Sequence, residues 1–551
     1  MPEFDYIVLG AGSAGCVIAN RLSENPANSV LLVEAGGYQL NPYFHIPKVG
    51  ARLFRNERYV WRYRTVPFGR NNVSEVWPRG RVVGGSSAIN GMIYNRGEST
   101  DYDELERLGN KGWDWASMLP FFLAMENHVL GAAAHRGAGG PLDLTVPTEP
   151  DVICDEIIAA GAELGLQRVD DVNGSEAERI GTVTATISGG RRVSAASAFL
   201  NPALRRRNLF LATKTVVDRL RFERGRPVGI TLRSGGSRFA VEARREVIVC
   251  LGAFESPKLL QLSGIGPRDV LSAAGVPVYL ERDNVGRRMR EHRCPVNTYR
   301  LNENLGYNRH LSTPFAKART GLSYLATRKG PLSRPGGGDV IALFKTHPER
   351  DRVDGQLLAT PLTVVERHGR RARVERSPGI SCVGEVLRPT SEGSAWIVSA
   401  DPNDPMVVDP NFLATEYDRR TCAGIMRTMR ELFTTSPIAD HISYETAPGL
   451  DAQTDDELIE AALNGGLTGH HAIGTCAMGP DDDDVVDDRL RVRGIDGLRV
   501  MDCSVMPIML SGNTNGPVMA MASRAAELIL DDNRTDAELR PAGVSAPHSH
   551  P

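Results

Sequence analysis

Two parts of this 551-residue chain hold residue types whose spacing could do chemistry. Near the N-terminus, Gly10, Gly12 and Gly15 stand in G-x-G-x-x-G order, and Glu34 follows about 20 residues later. The first glycine permits a tight turn, the second lets a pyrophosphate approach the backbone, and the third lets a helix pack on the preceding strand. An acid at that distance accepts hydrogen bonds from a ribose. The chemistry implied is dinucleotide binding, and the motif alone does not choose between NAD and FAD. Near the C-terminus stand GHHAIGTCAMG (469–479) and DCSVMPIMLSGNTN (502–515). The first of these carries adjacent histidines, His470 and His471, and imidazole suits proton transfer because it titrates near neutrality. Side chains of adjacent residues in an extended segment point apart, so only one of the two can serve as a base.

The glycine turn needs a strand before it and a helix after it. Tyr6–Leu9 is an apolar run, as a strand buried on both faces should be. Ala14, Val17, Ile18 and Leu22 recur at helical spacing, and the open N-terminus of that helix is an anion site. Ser29–Val33 supplies a second strand ending at Glu34. A second glycine loop holds Gly84, Gly85 and Gly91 with Ser86 and Ser87; it suits a backbone passing close to a flat or phosphorylated ligand, and equally an ordinary turn. Strands are predicted over Leu209–Thr213, Thr215–Phe222 and Glu246–Leu251. After the last of these, Ser256 and Pro257 read as the N-cap and first position of a helix.

Residues 38–78, rich in aromatics, arginine and proline, read as an excursion or lid. Residues 300–460 show strand patterns and one helix, Arg419–Phe433, which predicts a second, sheet-based domain; Lys329–Asp339 reads as a loop over a pocket. Leu498–Leu530 gives a strand, a loop and a helix with Pro517 in its first turn, and the polar tail from about 533 is expected to be disordered.

Composition narrows the class. Hydrophobic residues make up 41% and charged residues 24%, and the net charge of −3 gives no electrostatic case for nucleic acid or an anionic membrane. The runs Arg205–Arg207 and Arg370–Arg373 read as solvated faces. Eight scattered cysteines without a C-x-x-C pair imply free thiols in a reducing compartment, with no disulfide framework and no metal site. No signal peptide precedes the first strand and no apolar stretch nears the ~20 residues of a membrane helix, so the expected location is the cytoplasm.

Four stretches together resemble the glucose–methanol–choline family of FAD oxidoreductases. They are Gly10–Gly15; GRVVGGSSAIN (80–90); GAFESPKLLQLSGIG (252–266); and HAIGTCAMG (471–479) with NTNGP (513–517). The resemblance spans residues 4–532 and implies an α/β (α+β) fold. A discontinuous Rossmann-like FAD-binding domain would hold 1–300 and 462–532, with the excursion at 38–78 and an insertion at 150–200. A substrate-binding domain on a mixed or antiparallel sheet would hold 301–461.

The same resemblance assigns residues. Gly10, Gly12, Ser13, Ala14 and Gly15, with Glu34, Ala35 and Gly36, take FAD positions. So do Val83, Gly84, Ser87, Asn90, Gly91 and Met92, and Val217 through its backbone. Asp502, Cys503, Asn513, Asn515 and Pro517 complete the set. Counting back from Gly474–Thr475 puts the general base on His471, with Asn513 as its partner and His470 in the substrate pocket. Asparagine cannot take a proton at neutral pH, so His471 has no competitor there.

Three departures from the family pattern carry weight. Cys503 replaces an alanine. Ile89 replaces a histidine that some members use to attach FAD, so the cofactor is expected to be non-covalent. VGRRMREH (285–292) replaces the G-x-N-L-x-D-H form, which leaves the role of His292 open. The implied reaction is oxidation of a small-molecule alcohol to an aldehyde or ketone. Oxygen is the expected acceptor, because Gly469 would leave a void beside a histidine that becomes cationic. The alternatives are a dehydrogenase using a quinone or other acceptor, or a non-redox or light-driven relative such as a hydroxynitrile lyase or photodecarboxylase. The segments that would form the substrate pocket, 40–75 and 300–460, carry no motif that names the alcohol, and nothing sets the oligomeric state.

Overall fold

The structure, a computed structural model, describes residues 2–147, 151–223, 226–365 and 373–534. The expected disorder of the tail falls outside the described residues from 535 on, as do residues 370–372 of the second arginine run. The chain has an α/β fold built on two seven-stranded sheets.

The first sheet begins where the glycine motif predicts it. Glu3–Leu9 is a strand, Ser13–Leu22 a helix and Val30–Val33 a second strand. All four residues of Val30–Val33 are buried, and burying such a side chain contributes about 1.5–3 kcal/mol. The strand order is Leu209–Ala212, Val30–Val33, Glu3–Leu9, Ser237–Val249, Arg226–Ser234, Val216–Glu223. The first four run parallel and the last two return as antiparallel hairpins. Leu498–Val500 adds in parallel to Val247–Val249, so residues from the far end of the chain complete the nucleotide-binding sheet.

The second sheet runs Ile442–Ala447, Val296–Leu301, Gly379–Val386, Gly355–Thr360, Val340–Phe344, Arg179–Thr182, Gln167–Val169. Its pairs are antiparallel except the last, which is parallel. Three of these strands come from residues that the sequence analysis counts with the cofactor half. Gln167–Val169 and Arg179–Thr182 lie in the expected insertion, and Val296–Leu301 has all but its last residue before position 301. The helices Val152–Glu163 and Glu416–Phe433 bury their apolar sides against this sheet.

The segment 38–78 stays outside both large sheets: Val60–Thr65 and Val76–Gly80 join Ser394–Trp396 and Val407–Asp409 in a separate four-stranded sheet. One local expectation is corrected. Ser256 does not cap its helix, which runs Gly252–Leu262 and holds Ser256 and Pro257 inside it. The eight cysteines are unpaired thiols, seven of them buried.

Candidate active site

A cavity of about 1070 Å³ runs from Gly10, Gly12 and Glu34 at one end to His471 and Asn513 at the other. That exceeds the roughly 300–1,000 Å³ of ordinary small-molecule sites, as a dinucleotide with a substrate beside it requires. The backbone shapes the first end. A Cβ on Gly15 would lie 1.8 Å from the Gly10 carbonyl oxygen, so only glycine lets the helix pack on the turn. A Cβ on Gly12 would meet nothing nearer than 4.0 Å and would project into the cavity, where a pyrophosphate needs the room. Ser13 Oγ donates to Asn515 Oδ1 at 2.7 Å and so ties together the N-termini of Ser13–Leu22 and Asn515–Asp532. Both helix starts line the cavity, and each presents free amides to an anion.

Glu34 accepts from Ala11 N at 3.0 Å and Gly36 N at 2.7 Å, and burial pushes its carboxyl up to about 7. Each oxygen keeps a lone pair for a ribose hydroxyl. The donor set, the open glycine and the helix N-termini fit FAD.

Most expected cofactor residues line this cavity: Gly10, Gly12, Ser13, Ala14, Glu34 and Ala35; Asn90, Gly91 and Met92; Val217, Asp502, Cys503, Asn513 and Asn515. The other six are held within the fold. Gly15 and Gly36 sit where a Cβ would strike backbone. Gly84 takes a left-handed turn, and its N–H donates to Ala11 O at 2.7 Å. Val83 donates its N–H to Gly37 O, and Pro517 is buried in the last helix. Ser87 Oγ donates to Gly84 O and accepts from Ala195 N at 3.0 Å, holding the second glycine loop from beneath. Asp502 lines the cavity with its carboxylate already engaged by Gly252 N (2.9 Å), Ser256 Oγ (2.6 Å) and Ser504 N (2.8 Å).

At the other end side chains make the site. Arg293 and Cys294 pair antiparallel with Thr468 and Leu467, and Arg290 bridges Ile473; these pairings set His292 against His471. Their Nδ1 atoms are 2.9 Å apart. His292 Nε2 lies 3.3 Å from the Leu387 carbonyl, which can only accept, so Nε2 carries the hydrogen and Nδ1 of neutral His292 accepts from His471. His471 Nε2 is then the atom with the lone pair.

The far side agrees. Gln356 and Glu385 stand opposite each other in register, and Gln356 Nε2 donates to Glu385 Oε2 at 2.8 Å. Asn95 Nδ2 donates to Gln356 Oε1 (2.8 Å) and to Asn513 Oδ1 (3.2 Å). Asn513 therefore turns its Nδ2 toward His471 Nε2, 3.1 Å away.

Burial sets the protonation states. His292 is lowered to about 4, and His471 is held well below the usual imidazole value by burial and by His292, His470 and Arg79. Both are neutral at pH 7. His470, lowered to about 3 by burial and then Arg79, also lines the cavity, with Nδ1 3.1 Å from Arg79 Nη1. Glu385 is pushed up to about 8 by burial and then by Glu291. The sequence analysis missed Asn95, Gln356 and Glu385, and left His292 open. Gly469 lines the cavity, but the side chain it lacks leaves no void of its own. A Cβ on Gly469 would lie 2.9 Å from both His292 Cβ and His471 Nδ1, so the glycine lets the two histidines meet.

The GMC oxidoreductase family pattern matches residues 4–294 with its N-terminal part and 389–522 with its C-terminal part. Human mitochondrial choline dehydrogenase is 36% identical over 96% of this chain and 90% of its own length. The alcohol dehydrogenase [acceptor] of Pseudomonas putida is 34% identical over 96% of each chain. The crystal structure of pyridoxine 4-oxidase from Mesorbium loti superposes with a TM-score of 0.85 at 31% identity, covering 95% of this chain and 98% of that one.

Proposed function

The chain belongs to the GMC oxidoreductase family and is an FAD-dependent alcohol oxidoreductase, and on that premise we propose that His471 is its general base. The carrying observation is the 2.9 Å contact between the Nδ1 atoms of His292 and His471, which leaves the lone pair on His471 Nε2 beside Asn513. An alcohol hydroxyl placed against both gives its proton to Nε2 and takes a hydrogen bond from Asn513 Nδ2. His292 holds the tautomer, and Glu385, Gln356 and Asn95 hold Asn513. FAD bound at the glycine-turn end supplies the acceptor for the hydride. It is held without a covalent bond, because Ile89 offers no nucleophile.

The substrate we propose is an uncharged alcohol with an apolar body. On the sheet face beside Gln356 and Glu385 stand Leu358 and Val383, which also line the cavity with Phe54 and Ile93. Burial pushes Glu385 up to about 8, which weakens its answer to a quaternary ammonium. Stopped-flow anaerobic reduction of the bound FAD tests this. Aliphatic, aryl and furanic alcohols should reduce it much faster than choline or sugar alcohols; fast reduction by choline defeats the substrate assignment, and reduction by no alcohol defeats the His471 reading. The acceptor is oxygen or a quinone. Reoxidation in aerated buffer at the rate of turnover marks an oxidase; reoxidation by a quinone alone marks a dehydrogenase. The unpaired thiols support a reducing compartment such as the cytoplasm.

A further inference from the structure

The net charge of −3 hides a local asymmetry. Segments 35–56, 186–195 and 304–338 together hold eleven Lys and Arg and not one Asp or Glu. Seven of the eleven are exposed, among them Arg52, Arg191, Lys317 and Arg319. The three segments meet in space. Pro331–Ser333 packs on Pro47–Arg55, and Lys48 Nζ donates to Pro335 O at 2.8 Å. Tyr324 Oη donates to Gly190 O at 2.9 Å, and Arg192 N donates to His45 O at 3.2 Å.

The same face turns apolar side chains toward water. The helix Pro314–Thr327 buries Thr320 and Tyr324 on its inner side. Phe315, Ala318, Leu322 and Leu325 recur at i, i+3, i+7 and i+10, and a helix of a water-soluble protein turns such a stripe to the core. Here the stripe faces out: Phe315 is 80% exposed, Leu322 68% and Leu325 62%. Leu40, in the first segment, is 83% exposed. Pro47, Phe54, Gly336 and Gly337, from these segments, line the cavity.

We propose that this face docks the protein on the surface of an anionic lipid bilayer. Phe315, Leu322 and Leu325 enter the interfacial layer, and the Lys and Arg side chains meet the headgroups. The protein lies on the membrane rather than across it, since no helix among the described residues is long and apolar enough to cross. A second copy of this chain is a poorer occupant, because two faces that each carry seven exposed Lys and Arg would repel. Docking there would turn the cavity toward the phase in which apolar alcohols and lipid-soluble acceptors concentrate.

The test is flotation of the full-length, FAD-loaded protein with vesicles of pure phosphatidylcholine, and with vesicles carrying roughly a third phosphatidylglycerol. Partitioning onto the anionic vesicles should be at least roughly tenfold greater, and should weaken in high salt. The triple variant Phe315→Glu, Leu322→Glu, Leu325→Glu should lose that binding while keeping its flavin content and its reduction by a soluble alcohol. The double variant Lys317→Glu, Arg319→Glu should weaken binding to anionic vesicles only. Equal partitioning onto both vesicle types, or undiminished binding by the triple variant, overturns the proposal. So does a wild-type dimer that the triple variant converts to monomer, which would give the face to a second copy.

Discussion

The two ends of the cavity are built in opposite ways. At the cofactor end the working groups are backbone amides, glycine Cα atoms and helix N-termini, all held within short stretches of chain. At the catalytic end they are side chains, and the hydrogen-bonded set of His471, Asn513, Asn95, Gln356, Glu385 and His292 draws on six separate places in the sequence. The first end is rigid by sterics, so one added methyl group should break it outright. The second is tuned by proton positions, so single changes should grade its activity.

The largest effect is therefore expected far from the chemistry. In Gly15→Ala the new Cβ would meet the Gly10 carbonyl oxygen at 1.8 Å, with backbone on both sides unable to yield. The variant should purify without flavin absorbance, or fail to fold. If it retains a full complement of FAD, the glycine turn is not the constraint described here.

His471→Ala should keep its FAD and lose flavin reduction by roughly 10²–10⁴-fold, the usual worth of a general base. Retained flavin with lost reduction is the signature that separates this end from the other. A loss smaller than about tenfold would assign the base elsewhere.

The same contrast explains what was legible in the sequence. Gly10, Gly12, Gly15 and Glu34 could be read because a local backbone task leaves a local pattern. Ser256 was misread because the cap of its helix is not local: Gly252 N is held by Asp502, 250 residues away. Gln356 and Glu385 are ordinary strand residues until the register sets them opposite each other. His292 was visible as a histidine, but its task depends on two short backbone pairings between residues 290–294 and 467–473. The strands 167–169 and 179–182 were assigned to an insertion because short segments carry little periodicity. The charge asymmetry was invisible to a net count, since three acid-free segments become one face only when folded.

His292 offers a finer test of the catalytic end. His292→Leu removes the acceptor for His471 Nδ1–H, freeing the ring to take the other tautomer. Flavin reduction should fall by roughly 10–100-fold, the size of effect that outer partners of functional histidines have. His292→Gln, whose side-chain oxygen can accept the same hydrogen bond, should recover most of it. A purely packing role would make the two variants alike, and FAD content should be unchanged in both.

The smallest effect concerns pH. A depressed imidazole value keeps the lone pair on His471 Nε2 as pH falls, so flavin reduction should show no acid limb near the ordinary histidine value of about 6.5. On the alkaline side Glu385 is expected to intervene. Burial raises it to about 8, so it is neutral at pH 7 and ionises as pH rises through that value. Its carboxylate oxygens lie 4.0 Å from His471 Nδ1 and 3.7 Å from His292 Nδ1. A new negative charge there favours the imidazolium that His471 becomes on taking the proton, and so makes it a stronger base. The rate should rise by roughly three- to tenfold through pH 8, which is part of the 1–3 pKa units that an opposite charge at this distance supplies. Glu385→Gln cannot ionise and should give a flat profile at the lower level. A step that survives in Glu385→Gln would place its origin outside this carboxylate, and an acid limb near 6.5 would mean that His471 is far less desolvated than its surroundings make it.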